Sequence, residues 1–125
     1  IATDIGMINE NIRKNLYKSK LVVVESNYDT NMLMVGSYPY SLKQRVLSSG
    51  GHLSNEDCGN FCVELVKKGT EKILLAHLSK ENNFKELAFE TTKSILKNND
   101  INVGKDVFLD VLPRENLSNL YNLER

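Results

Sequence analysis

The sequence predicts a layered α/β fold, and three observations carry that expectation. Lys20 to Glu25 and Lys72 to Ala76 are apolar almost without alternation, as strands covered on both faces are. The segments around them place apolar residues at helical spacing. A third short run, Asp106 to Val111, follows the last of those helices, so strands alternate with helices that bury the sheet.

Taken in order, Ile1 to Gly6 reads as the end of a strand entering a loop. Ile8, Ile12 and Leu16 then mark a short helix over Ile8 to Tyr17. The strand Lys20 to Glu25 ends in the polar cluster Glu25-Ser26-Asn27-Tyr28-Asp29. Between Thr30 and Gly51 the pattern breaks into an apolar stretch at Met32 to Val35, then Gly36 and Pro39, then a helical segment from Tyr40 to Leu47. Ser54, with Asp57 three residues on, is a good N-cap for a helix whose buried stripe is Phe61, Cys62, Leu65 and Val66. Gly69 ends that helix. After the strand Lys72 to Ala76 comes a polar loop from His77 to Asn83, and then an amphipathic helix from about Phe84 to Lys97.

With 125 residues the chain is expected to form a single domain. Its 41% apolar and 26% charged content is that of a globular protein. Lys plus Arg and Asp plus Glu both number 16, so no overall positive field attracts a polyanion, and nucleic-acid binding would have to be local. Apolar runs such as Leu21 to Val24 fall far short of the ~20 residues that span a bilayer. No targeting signal can be read at the N-terminus, and the start at Ile1, with neither Met nor a basic leader, is expected of a truncated or trimmed chain. Cys58 and Cys62 share one helix face and lack the second pair a zinc site needs, so they read as buried thiols, and reduced thiols fit the cytoplasm.

The polar residues of interest lie where strands end: Asp4, Glu25 and His77. Ligands gather at strand ends in α/β sheets, so these positions can converge. Alone, Thr3-Asp4-Ile5-Gly6 is an ordinary turn; the other reading is a carboxylate bridging two metals. His77 reads as a hydrogen-bonded edge residue or a ligand. His52 has two glycines before it and a helix start behind it, which suits either an exposed loop or an anion-facing imidazole. Glu25 follows an apolar run and needs a partner if buried, and pairing with His52 would satisfy both. Lys43 and Arg45 read as a solvated face or as phosphate contacts.

Five motifs occur in this order: Thr3-Asp4-Ile5-Gly6, Glu25-Ser26-Asn27-Tyr28-Asp29, Ser41-Leu42-Lys43-Gln44-Arg45, Gly51-His52-Leu53-Ser54-Asn55-Glu56 and Ala76-His77-Leu78-Ser79-Lys80-Glu81-Asn82-Asn83. Together they resemble the YycJ/WalJ group of metallo-β-lactamase-fold proteins over essentially the whole chain. The resemblance implies the C-terminal half of an αβ/βα sandwich, with a mixed sheet covered by helices. It also implies two divalent metals, zinc or manganese, held by a His-x-His-x-Asp-His segment, a further His, a bridging Asp and a last His. Asp4 would be the bridging Asp and His77 the last His, with the His-rich segment expected upstream of Ile1. The stretch from His52 to His77 is also similar to the tRNA 3′-processing endonucleases, which implies that Glu25 and His52 form a proton-donating pair. Tyr28 stands where relatives often have His.

The expectation is a fragment of a dinuclear-metal hydrolase acting on a phosphodiester, DNA or RNA, as an exonuclease does, and inactive by itself. Asn27, Ser54, Lys43 and Arg45 are candidate substrate contacts. The half-sandwich is expected to expose an apolar sheet face through which copies could associate. The rival expectations are a non-catalytic α/β interaction module and a hydrolase of small esters or phosphodiesters.

Overall fold

Leu21-Val22-Val23-Val24 favours extended backbone because branched side chains pack well on a pleated surface, and it forms strand β1 (Leu21–Glu25). A computed structural model describes residues 13–14, 16–17, 19–47 and 51–113. After β1 come helices α1 (Thr30–Val35), α2 (Tyr40–Leu47) and α3 (Asn55–Lys67), strand β2 (Lys72–Ala76), helix α4 (Lys85–Asn98) and strand β3 (Phe108–Val111). Helix α1 starts because the Asp29 carboxylate accepts from Met32 N at 3.0 Å, a cap that turns an apolar stretch into a helix. Ser54 caps α3 in the same way, its Oγ accepting from Asp57 N at 3.1 Å, and Glu56 and Asp57 oppose the positive end of the helix. Gly69, at φ 109°, lets the chain turn away after α3.

The three strands are ordered β1-β2-β3 and are parallel, with Leu21 beside Lys72 and Lys72 beside Phe108. The sheet expected from the resemblance was mixed; among the described residues no antiparallel strand occurs. Helical crossovers separate each strand from the next, and a crossover returns the chain in the same direction. One sheet face presents Val22, Val24, Ile73, Leu75, Leu109 and Val111 to Phe61 and Leu65 of α3 and Ala88 and Leu96 of α4. The two helices approach closely at Gly59, where a Cβ would lie 2.6 Å from Ile95 Cδ1. Cys58 and Cys62 are free thiols buried in this layer.

On the opposite face Val23, Leu74, Ala76 and Leu112 are 2–8% exposed, so these positions are screened within the chain, while Phe108 is 50% exposed. Of the helix predicted over 8–17, Arg13, Lys14 and Leu16 are helical and Tyr17 N donates to Arg13 O at 2.9 Å. The rest of it, and the strand predicted at 1–6, lie outside the described residues.

Leu75 is fully buried on the central strand. Leu75→Ala is expected to cost about 2–5 kcal/mol, the transfer loss plus the cavity it leaves. Urea unfolding checks this, and a loss below about 1 kcal/mol would show that the sheet is not packed as described.

Candidate active site

Parallel register places Glu25 beside Ala76, so the next residues of both strands, Ser26 and His77, leave the sheet at the same edge. Glu25 is 0% exposed. An unanswered carboxylate there would cost several kcal/mol, so its oxygens must be hydrogen-bonded. Oε1 accepts from Leu53 N at 3.1 Å. Oε2 faces two imidazoles, His52 Nδ1 at 2.8 Å and His77 Nδ1 at 2.5 Å. The pairing of Glu25 with His52 is thus present, and His77 shares the same oxygen.

A carboxylate oxygen only accepts, so each neutral ring carries its proton on Nδ1 and turns Nε2 away from Glu25. The ring centroids are 5.3 Å apart, edge to face. His77 has φ 59°, a left-handed conformation uncommon outside glycine, which Asp100 also adopts. Asn27 Nδ2 donates to His77 O at 2.7 Å and holds that conformation. Both histidines border a cleft of about 490 Å³ that Asn27, Tyr38, Leu42 and Lys80 also line.

Beneath the histidines lies a buried amide pair. Asn55 Nδ2 donates to Asn83 Oδ1 at 2.9 Å, and Asn83 Nδ2 returns a bond to Asn55 Oδ1 at 2.8 Å. Ser26 Oγ donates to Asn55 Oδ1, and Asn83 Nδ2 also donates to Ser26 O at 2.9 Å. One network therefore joins the exit of β1, the first residue of α3 and the entry to α4.

The remaining expected residues fall elsewhere. Asp4 lies outside the described residues. The Ser54 hydroxyl serves as the cap of α3, and Ser54 does not line the cleft. Lys43 Nζ donates to Met34 O at 2.9 Å, and Arg45 sits in the last turn of α2; neither borders the cleft. Asn27 does border it, while also fixing His77. Sequence reasoning missed Tyr38 and the Asn55–Asn83 pair, and it did not connect His77 to Glu25. The signal for that connection was the shared strand-end position of the two residues.

One ligand atom from each of Glu25, His52 and His77 lies within 4.8 Å of the others, a spacing that could hold a metal ion. Imidazole and carboxylate donors suit zinc or manganese. The carboxylate is already engaged by three donors, so its better fit is as the group that orients ligating imidazoles. Near the site, burial raises the Tyr28 phenol pKa, with Asp57, Glu56 and Glu25 adding to the effect. Cys62 is pushed up by its hydrogen bond with Cys58 and by burial, which suits an inert thiol and not a metal ligand.

Long-range ¹H–¹⁵N spectra of the neutral rings should show the Nδ1–H tautomer for both His52 and His77; an Nε2–H signature at either would contradict the shared carboxylate. Asn83→Ala leaves Asn55 without its amide partner and is expected to destabilise by about 1–3 kcal/mol. Denaturant unfolding measures it, and a neutral result would mean that the network is dispensable.

Comparison with known proteins gives 42% identity over 106 residues to the proteins named exodeoxyribonuclease WalJ of two Streptococcus pneumoniae strains. It gives 37% identity over 105 residues to the exodeoxyribonuclease YycJ of Bacillus anthracis. No family model and no solved structure matches the chain. The matched stretches make up 39–40% of those proteins, so the chain spans about two-fifths of the length of the relatives it matches. Identity of 37–42% over 84–85% of this chain supports its assignment to the YycJ/WalJ type.

Proposed function

We propose that this chain is the C-terminal half of a metallo-β-lactamase-fold sandwich from a metal-dependent nuclease that hydrolyses phosphodiester bonds in DNA or RNA. The observation that carries this reading is one buried carboxylate turning two imidazoles toward one cleft. The exodeoxyribonuclease names of its relatives support DNA as the substrate.

In this reading His77 and Asp4 are metal ligands, and two divalent ions, zinc or manganese, complete the site with residues outside this chain. Such ions supply Lewis acidity toward the phosphodiester and make a bound water more acidic. His52 holds the proton that passes to the leaving oxygen as the P–O bond breaks. Glu25 keeps that imidazole oriented. Asn27 sets the His77 backbone and contacts substrate; Ser54, Lys43 and Arg45 are peripheral candidates for phosphate. One Asp and one His are too few to hold two metals, so the isolated chain is inactive. The compartment that suits its two free thiols is the cytoplasm.

The test compares this chain with the full-length protein for metal content and for hydrolysis of single-stranded DNA with added Mn²⁺ or Zn²⁺. Only the longer protein is expected to hold two metals and cut DNA. In it His77→Ala should lose both metal and activity, while His52→Ala should keep metal and lose about 10²–10⁴ in kcat. Wild-type hydrolysis by His77→Ala would favour the rival in which these residues are only caps and turns.

A further inference from the structure

Asn83 is 5% exposed, and its side-chain amide uses every hydrogen-bonding position it has. An amide offers two N–H donors and two acceptor sites on its oxygen. Asn83 Nδ2 donates to Ser26 O at 2.9 Å and to Asn55 Oδ1 at 2.8 Å. Its Oδ1 accepts from Asn55 Nδ2 and from Phe84 N, both at 2.9 Å. Burial explains why such an amide is satisfied; it does not explain why the first of these bonds ends on Ser26 O.

Ser26 O belongs to the planar peptide unit that joins Ser26 to Asn27. The N–H of that same unit donates to Leu53 O at 2.9 Å. Asn83 therefore holds one edge of a rigid plate whose other edge holds residue 53, the neighbour of His52. The plate also carries Asn27, whose Nδ2 donates to His77 O at 2.7 Å and whose carbonyl accepts from Ser79 N at 2.7 Å. Both histidine segments are thus hydrogen-bonded to Asn27, and Glu25, which orients both rings, lies immediately before the plate.

We propose that Asn83 is a positioning residue for the reaction, setting through the Ser26–Asn27 peptide plane where Glu25 presents His52 and His77. The assignment rests on the nuclease reading above and extends it to a residue that does not border the cleft. Without the Asn83 donor, Ser26 O is left unanswered and the plate is free to rotate. A rotation there displaces the Asn27 amide, the Leu53 segment and Glu25 together, so both imidazoles move.

The experiment uses the full-length protein. Ring signals of His52 and His77 are recorded by NMR in EDTA, and kcat and KM for single-stranded DNA are measured with Mn²⁺. Asn83→Ala is expected to shift the signals of both rings and to lower kcat about 10–100-fold with KM unchanged, as loss of a group that orients catalytic side chains does. Asn83→Asp keeps the size and the two accepted bonds but loses both donors; it should act alike, and it is read instead if the alanine variant does not fold. Leu96, fully buried near the far end of α4, supplies the control: Leu96→Ala should lower stability yet leave ring signals and kcat as in the wild type. Unmoved rings in a folded Asn83 variant, an unchanged kcat, or the same ring shifts in Leu96→Ala overturn the positioning role and leave Asn83 a stabilising residue only. Shifted rings in a protein whose wild type never cuts DNA overturn the nuclease reading and leave the positioning of the histidines standing, so the two failures are distinct.

Discussion

A carboxylate sealed from water has to be answered by donors, and Glu25 is that group in this fold. Its three donors come from different places: the Leu53 amide and His52 precede α3, and His77 follows β2. One side chain therefore ties the end of β1 to the end of β2 and to the approach of the next helix. The cost of leaving a buried charge unpaired exceeds the net gain from any one of these bonds. All three segments consequently have to arrive together, which makes the site's geometry a condition of folding around Glu25.

The sheet supplies the frame for that meeting and continues past its last regular residue. Ser26 N donates to Ala76 O, Asn27 N to Leu53 O, Asn55 N to Tyr28 O and Ser79 N to Asn27 O. Residues 26–28 thus run between the 53–55 and 79 segments as an irregular extension of the ladder, with Tyr28 bridged to Ser54. Loops pinned in this way behave as scaffold. The reciprocal amides of Asn55 and Asn83 add a neutral, mutually satisfied floor, which escapes the desolvation cost a second buried charge would incur.

Strand runs, the Ser54 cap and the amphipathic helix before β3 were legible in the sequence because each depends on neighbours a few residues away. Strand limits moved by only a residue or two, Lys20 falling outside β1 and Asp106 outside β3. Helix α1 was missed because its signal was a single cap, Asp29, ahead of a stretch too short to show a period. The need of Glu25 for a partner could be read from its apolar run, and His52 followed from that need. The bond from His77 to the same oxygen could not, because it depends on the parallel register that sets Glu25 beside Ala76. Tyr38 and Asn82 stayed hidden for a similar reason: their segments meet only after the irregular stretch between β1 and α3 has folded.

Sharing one acceptor oxygen between two imidazoles has a consequence for chemistry. Coulomb interactions grow as water is excluded, and Glu25 Oε2 is buried while the two rings are 31% and 46% exposed. Both rings therefore depend on the same carboxylate oxygen for their orientation, so a displacement of Glu25 moves both together. The strained backbone of His77, held by Asn27, keeps that ring from relaxing away. In this arrangement the two rings are joined through one oxygen atom, and separating them would require a second buried carboxylate, which the described residues of the site do not include.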